Sequence, residues 1–310
     1  MLPQLYSDPQ VVRQLLEDFE AAEIPWPHKL AWRFGKRFVQ NSWEATHAQL
    51  QELRDVGIDD AEILRWTEGA CVQTWWVMSA DGGGVALDDF TPSSGRVVGL
   101  AREAYEAETL RTGAAPGASP SAPSQARVAW VEVDLQRTEY GQAAAWAEAR
   151  YGFVPNFFKA FSLRPQLYPR HQRALELLEA PVSGSLSPRQ HALVRALVSQ
   201  RNRSAYGAVT SRALLERIAP GEPLWQRLAG DYTRHPWSAA ERAVLDFAAK
   251  MALTSYKVTD KDPARLREVG LDDAATVEVI NVVSIQSSIE RAAHMLGVAA
   301  DTAPLLARKA

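Results

Sequence analysis

Two stretches of the chain read almost alike at an offset of 213 residues: Leu53-Arg-Asp-Val-Gly-Ile-Asp-Asp-Ala61 and Leu266-Arg-Glu-Val-Gly-Leu-Asp-Asp-Ala274. Seven of the nine positions are identical, and the other two exchange Asp for Glu and Ile for Leu. The offset extends beyond this motif. Gln73 falls on Gln286, and Asp81-Gly-Gly-Gly-Val-Ala-Leu-Asp88 falls on His294-Met-Leu-Gly-Val-Ala-Ala-Asp301. With one residue of slack, the run from Lys36 to Ser42 and Trp43 falls on that from Lys250 to Ser255 and Tyr256. A fixed offset sustained over separate segments marks a duplicated structural unit. Two related halves are therefore expected.

With 310 residues the chain is long enough for two domains of ordinary size, each with its own core. A hydrophobic content of 46% and a charged content of 23% are those of a globular protein. The net charge of −3 and a pI near 6.1 provide no basic field, so nucleic acid is not an expected partner. No run approaches the roughly 20 apolar residues that span a bilayer. The segment from Met1 to Gln10 has neither the charged region nor the apolar region of a signal peptide, so a cytoplasmic, non-membrane protein is expected.

Gly113 to Ala126 is Ala, Gly, Pro and Ser apart from Gln125, a composition that buries no apolar area and reads as a linker. It divides the chain into residues 1–110, a connecting stretch 111–127, and residues 128–310. Helical patterning dominates both sides. Ser7-Asp8-Pro9 starts a helix with Val11, Val12, Leu15, Leu16 and Phe19 on one stripe, and Pro25 to Pro27 end it. Lys29 to Asn41 forms the next helix. Gly57 then closes a short helix, and Asp59 caps a long one running to about Ala80. The same order recurs from Ala239, ending in a long helix from Ala274 to Leu296 whose Ser284, Ser287, Ser288 and Ala292 favour close helix packing. Only Ala129 to Asp134 alternates, and it reads as an extended arm. The fold class is all-α.

The most telling run is Tyr151-Gly-Phe-Val-Pro-Asn-Phe-Phe-Lys-Ala-Phe-Ser-Leu-Arg-Pro-Gln-Leu167. It is followed by Leu186-Ser-Pro-Arg-Gln-His-Ala-Leu-Val194 and by Ser199-Gln-Arg-Asn-Arg-Ser-Ala-Tyr-Gly-Ala-Val-Thr-Ser211. In these residues the chain resembles the carboxymuconolactone decarboxylase/alkylhydroperoxidase D superfamily, in its peroxidase-related branch. The resemblance covers most of residues 150–300, and the repeat extends it to roughly 30–90 as a more degenerate copy. It implies an alkylhydroperoxidase D-like helical fold in two units, with an intrachain pseudo-dimer and, beyond that, a homo-oligomer in which a dimer is favoured.

In active members of that family a Glu precedes a C-x-x-C-x-x-x-H motif by one helix. A thiolate attacks the peroxide, a second thiol resolves the sulfenic acid, and His with Glu relays the proton. The resemblance places the two cysteines on Ser204 and Gly207, the His on Ser211 and the Glu on Ala192, while Asn202 and Tyr206 match. A serine hydroxyl supplies neither a thiolate nor a reversible oxidation ladder, so thiol peroxidase activity is not expected from this site.

The substitutes on offer are weak. His191 adjoins the lost Glu position but lies about 100° round the helix from it, and is expected to face solvent or a subunit contact. Tyr206 is a candidate ligand-facing phenol, though packing usually accounts for such a residue. Cys71 is the only cysteine, which excludes intrachain disulfides and multi-cysteine zinc sites. It aligns with Ser284 and reads as a small buried hydrophobe. Six of the ten tryptophans lie before residue 77 and are expected mainly in the core and in an aromatic interface between the two halves, or else around a pocket for a planar or apolar ligand. His28, His47, His171, His235 and His294 show no H-x-x-x-H spacing, and no phosphate loop is present, so no metal or cofactor is expected. The residues from 8 to 22 are expected to stand where the reactive helix stands in the second half. Three functions follow: a binding or scaffold protein that has lost its redox centre, a cysteine-independent acid/base enzyme of the decarboxylase type, or a residual peroxidase using Cys71. Any of them leaves room for a small-molecule ligand.

Overall fold

The computed structural model describes residues 9–85, 128–179 and 185–306. The stretch 111–127, the Ser7-Asp8 cap and Asp88 of the repeat lie outside the described residues. Those described fold into helices joined by turns, with no strand among them. The helices are α1 (Pro9–Asp18), α2 (Trp26–Asn41), α3 (His47–Asp55), α4 (Asp60–Gly83), α5 (Thr138–Tyr151), α6 (Asn156–Ala160) and α7 (Tyr168–Glu179). They continue as α8 (Pro188–Arg201), α9 (Ala205–Ile218), α10 (Leu224–Ala229), α11 (Ala239–Thr254), α12 (Lys261–Glu268) and α13 (Asp273–Met295).

The repeated sequence gives repeated local structure. Asp59 accepts the Glu62 N–H at 2.8 Å at the start of α4, and Asp272 accepts the Ala275 N–H at 2.8 Å at the start of α13. Gly57 and Gly270 end the preceding helices at φ 88° and 84°, a conformation that disfavours any residue with a Cβ. Arg54 binds Asp60 at 2.8 Å, and Arg267 binds Asp273 at 2.7 Å. Shifted by 213, α2, α3 and α4 fall on α11, α12 and α13. The same shift carries α1 to residues 222–231, which hold the short helix α10. In sequence α1 therefore aligns with α10 and not with α9.

Helices α4 and α13 pack antiparallel along their length. Cys71 donates Sγ to the Ser288 carbonyl at 3.5 Å, and Ser288 returns Oγ to the Cys71 carbonyl at 3.1 Å. Eight residues along α4, Ser79 Oγ lies 3.3 Å from Ser284 Oγ. A Cβ on Gly82 would meet the Met251 sulfur at 2.6 Å and Ile280 at 2.9 Å, so a side chain there would displace both. The ends of the crossing are reciprocal. Ser42 Oγ lies 3.1 Å from His294 Nδ1, and its counterpart Ser255 donates to Asp81 at 2.7 Å, where Asp81 is the counterpart of His294.

One core gathers α8, α9, α11 and α13, with Met78 inserted from α4. The other joins Leu30, Phe34, Phe38, Leu50 and Ile63 to Phe157, Phe158, Phe161 and Met295. The core contributed by residues 9–85 is thus completed by residues beyond 128, because α2 to α4 are too few to bury both faces. Each large side chain fully buried there contributes about 1.5–3 kcal/mol. The arm from Ala129 to Asp134 forms no strand; it donates Trp130 N–H to Leu296 O at 2.8 Å and Glu132 N–H to Asp60 at 2.7 Å.

The tryptophan expectation is corrected. Trp26, Trp75 and Trp76 are exposed, and none of Trp32, Trp43 and Trp66 is fully buried. Aromatic residues at helical spacing resemble a core stripe in sequence, yet two of these sit on the solvent side of α4.

Candidate functional site

The site forms where α8 turns into α9. Ser187 and Gln190 close a capping box at the start of α8, with Pro188 at its first position. The helix ends at Asn202, and Arg203 makes the turn at φ 55°, the one non-glycine residue with positive φ among the described residues. Such a backbone costs about 1–2 kcal/mol for a residue with a Cβ. Its guanidinium lies 4.8 Å above the Trp43 ring, and its main chain hydrogen-bonds His294.

Ser204 is the N-cap of α9 and accepts the Gly207 N–H at 2.9 Å. Its oxygen therefore performs a structural task. Gly207 sits one turn on. A Cβ there would overlap the Glu290 carboxylate, whose Cδ would be 2.6 Å away, and would meet Ser199 Oγ at 2.7 Å. Glu290 reaches in from α13 and accepts three hydrogen bonds: from Ser199 Oγ at 2.6 Å, Asn202 Nδ2 at 2.8 Å and Gln286 Nε2 at 3.0 Å. Ser211 Oγ lies 2.9 Å from Ser199 Oγ. Gln286 also donates to the Arg195 carbonyl at 2.8 Å, and Arg195 Nε donates back to Gln286 Oε1 at 2.9 Å. Every one of these side chains is buried.

Burial raises the Glu290 carboxyl to about 7, against the three hydrogen bonds that favour the anion. Burial also lowers the Arg195 guanidinium from its usual range, while the Glu179 and Glu290 carboxylates oppose that shift. The network holds a carboxyl poised near neutrality, but no thiol and no imidazole.

The other candidates are distributed around it. Ala192 is fully buried on α8 and carries nothing reactive. His191 is only 5% exposed, which corrects the expectation that it faces solvent. Desolvation first, and the Arg195 charge second, lower it to about 3, and its Nε2 is buried without a hydrogen-bond partner. It is neutral at physiological pH. Tyr206 packs against Phe157 at 6.2 Å, with its hydroxyl buried near the Asp301 carboxylate and making no hydrogen bond of good geometry. Burial raises Asp301 to about 6, against the Asn156 N–H that it accepts at 2.7 Å. Ser204, Gly207 and Ser211 share one face of α9, whereas Tyr206 lies on another; the four do not converge.

Cys71 lies in the α4–α13 crossing. Its thiol is pushed well above its ordinary range by burial first and the Glu68 charge second. Glu68, one turn earlier, is held by Arg170 and by His171 Nε2 at 3.1 Å, and the His171 ring is boxed by Phe157 and Phe161. No group of His, Cys, Asp and Glu side chains with metal-binding geometry occurs among the described residues. No helix among them is long and apolar enough to cross a membrane.

Sequence reasoning missed Glu290. The signal was present: Gln286 and Glu290 are four residues apart on a stripe otherwise made of small and apolar residues. An acid on such a stripe enters the interior with its partners.

No family model matches the chain, and no curated protein matches it. Two solved structures share its fold. One is described as an alkylhydroperoxidase D core, an uncharacterized peroxidase-related protein from Ralstonia eutropha JMP134. It is 23% identical, with a TM-score of 0.50, over 57% of this chain and 94% of that one. The other is an uncharacterized peroxidase-related protein from Silicibacter sp. TM1040, 22% identical with a TM-score of 0.50, over 61% of this chain and 96% of that one. The chain therefore has an all-α, alkylhydroperoxidase D-like fold.

Proposed function

We propose that the chain is a tandem, two-unit relative of the peroxidase-related proteins whose thiol centre has been replaced by a closed polar network, leaving a binding or scaffold protein without peroxidase activity. The observation that carries this reading is the place of Glu290: its carboxylate fills the space that a side chain at Gly207 would need. A thiol at Ser204 would in turn remove the cap of α9. The units are residues 1–110 and 128–310, joined by the Ala/Gly/Pro/Ser stretch, and the reciprocal Ser42–His294 and Ser255–Asp81 contacts support an intrachain pseudo-dimer. Location in the cytoplasm and assembly of the whole chain into a homodimer belong to the same proposal.

The test is chemical. Native protein is exposed to an organic hydroperoxide, treated with a sulfenic-acid trap and read by mass spectrometry. The reading expects Cys71 to stay unlabelled in the native state and to label only after unfolding, since the thiolate is the reactive form. Rapid labelling of native Cys71 overturns it.

One observation favours the acid/base alternative: Glu290 titrates near neutrality, as a general acid or base should. Its three donors and complete burial favour the scaffold reading over it.

A further inference from the structure

A cleft of about 440 Å³ lies between α2 and α3, within the range of small-molecule sites. Leu30, Phe34, Leu53 and Met295 give it apolar surface, and Arg33, Lys36 and Arg37 of α2 give it positive charge. Two carboxylates share the lining, Glu20 and Glu52, and both act on Arg33. Arg33 donates Nε and NH2 to Glu20 at 2.7 and 2.8 Å, and the charge of Glu52 stabilises the same guanidinium. Arg37 is placed differently. It donates NH1 to Glu44 at 2.6 Å, and among the described residues no acceptor meets its Nε/NH2 edge.

The second half of the chain shows what is missing. At the strict 213-residue offset, which superposes the bounds of α2 on those of α11 and so pairs Lys250 with Arg37 and not with Lys36, Arg37 and Gln49 correspond to Lys250 and Asp262, which join α11 to α12 through an ion pair of 2.7 Å. There the cation is neutralised across the two helices. In the first half the acid is replaced by Gln49, a neutral amide that accepts the Thr46 N–H in the capping box of α3.

We infer that this cleft binds a small organic anion, a monocarboxylate with an apolar body. The carboxylate takes the Nε/NH2 edge of Arg37 in the paired geometry that guanidinium offers, and the body lies on Leu30, Phe34, Leu53 and Met295. The occupant is placed where the second half holds its own carboxylate, Asp262.

Calorimetric titration of the full chain with phenylacetate, and with neutral phenylacetamide as control, tests the inference. The wild type is expected to bind phenylacetate saturably and more tightly than the amide. Arg37→Gln should weaken phenylacetate about tenfold, a loss of about 1.4 kcal/mol. Gln49→Glu should do the same by returning a carboxylate to the cleft, and it preserves the fold because Glu is a natural third residue of a capping box. Absence of saturable binding by the wild type overturns the inference. So does equal affinity for the amide, or unchanged affinity in both variants. A failed titration leaves the reading of the thiol site untouched, and hydroperoxide turnover would overturn that reading without touching this one.

Discussion

Glu290 and Gly207 share one volume: the carboxylate from α13 occupies the position into which a side chain on α9 would project. The two residues come from helices that meet only in the folded chain, so the absence of a side chain at 207 and the buried acid at 290 form a single structural feature. Gly207→Ala should therefore cost about 1–3 kcal/mol, the usual penalty of overpacking. In a Glu290→Ala background the same change should cost much less, because the competing atoms are gone. Denaturant unfolding of the four proteins in this cycle measures the coupling.

The buried acid also predicts a pH dependence. The Glu290 carboxyl titrates near 7 in the folded protein and near 4.5 when unfolded. Between those values the folded state holds the proton that the unfolded state has lost, so this group's contribution falls as pH rises and levels off above about 7. The full effect is on the order of 3 kcal/mol. Glu290→Gln removes it. The variant's stability relative to wild type should thus improve from pH 5 to pH 8. Comparing the two proteins isolates Glu290 from the buried histidines, whose contributions have the opposite sign: His294, lowered to about 4, favours the folded state more as pH rises toward the unfolded value of 6.5. Urea melts across the range give the measurement.

Glu68 ties α4 to α7. It is 6% exposed, and burial would raise its carboxyl, but hydrogen bonds and charges from His171 and Arg170 hold it below its ordinary value. Glu68→Ala should cost about 1–3 kcal/mol, because it leaves His171 inside an aromatic box with neither ring nitrogen paired. Glu68→Gln should cost less, since it keeps an acceptor in place. Thermal unfolding distinguishes the two.

The frame was legible because its signals are local. Asp59 and Asp272 mark helix starts, Gly57 and Gly270 mark stops, and the offset between them recurs as the same local geometry in the structure. The resemblance also pointed to the turn from α8 to α9, where Ser204 and Gly207 stand. What could not be read were relations between distant helices. His191 looked solvent-facing because its partner surfaces on other elements are not visible along α8. The exposed Trp75 and Trp76 looked like core because hydrophobic periodicity does not say which face of a helix is covered. Glu290 belongs to the same class, since its importance depends on Ser199, Asn202 and Gly207, some ninety residues earlier in the chain.

Under the proposed function the chain keeps the helical frame and carries out no thiol redox chemistry. Hydroperoxide consumption with a dithiol donor, measured for wild type beside Cys71→Ala, tests it most directly. No turnover above the protein-free rate is expected in either protein. Turnover by the wild type that disappears in Cys71→Ala would contradict it.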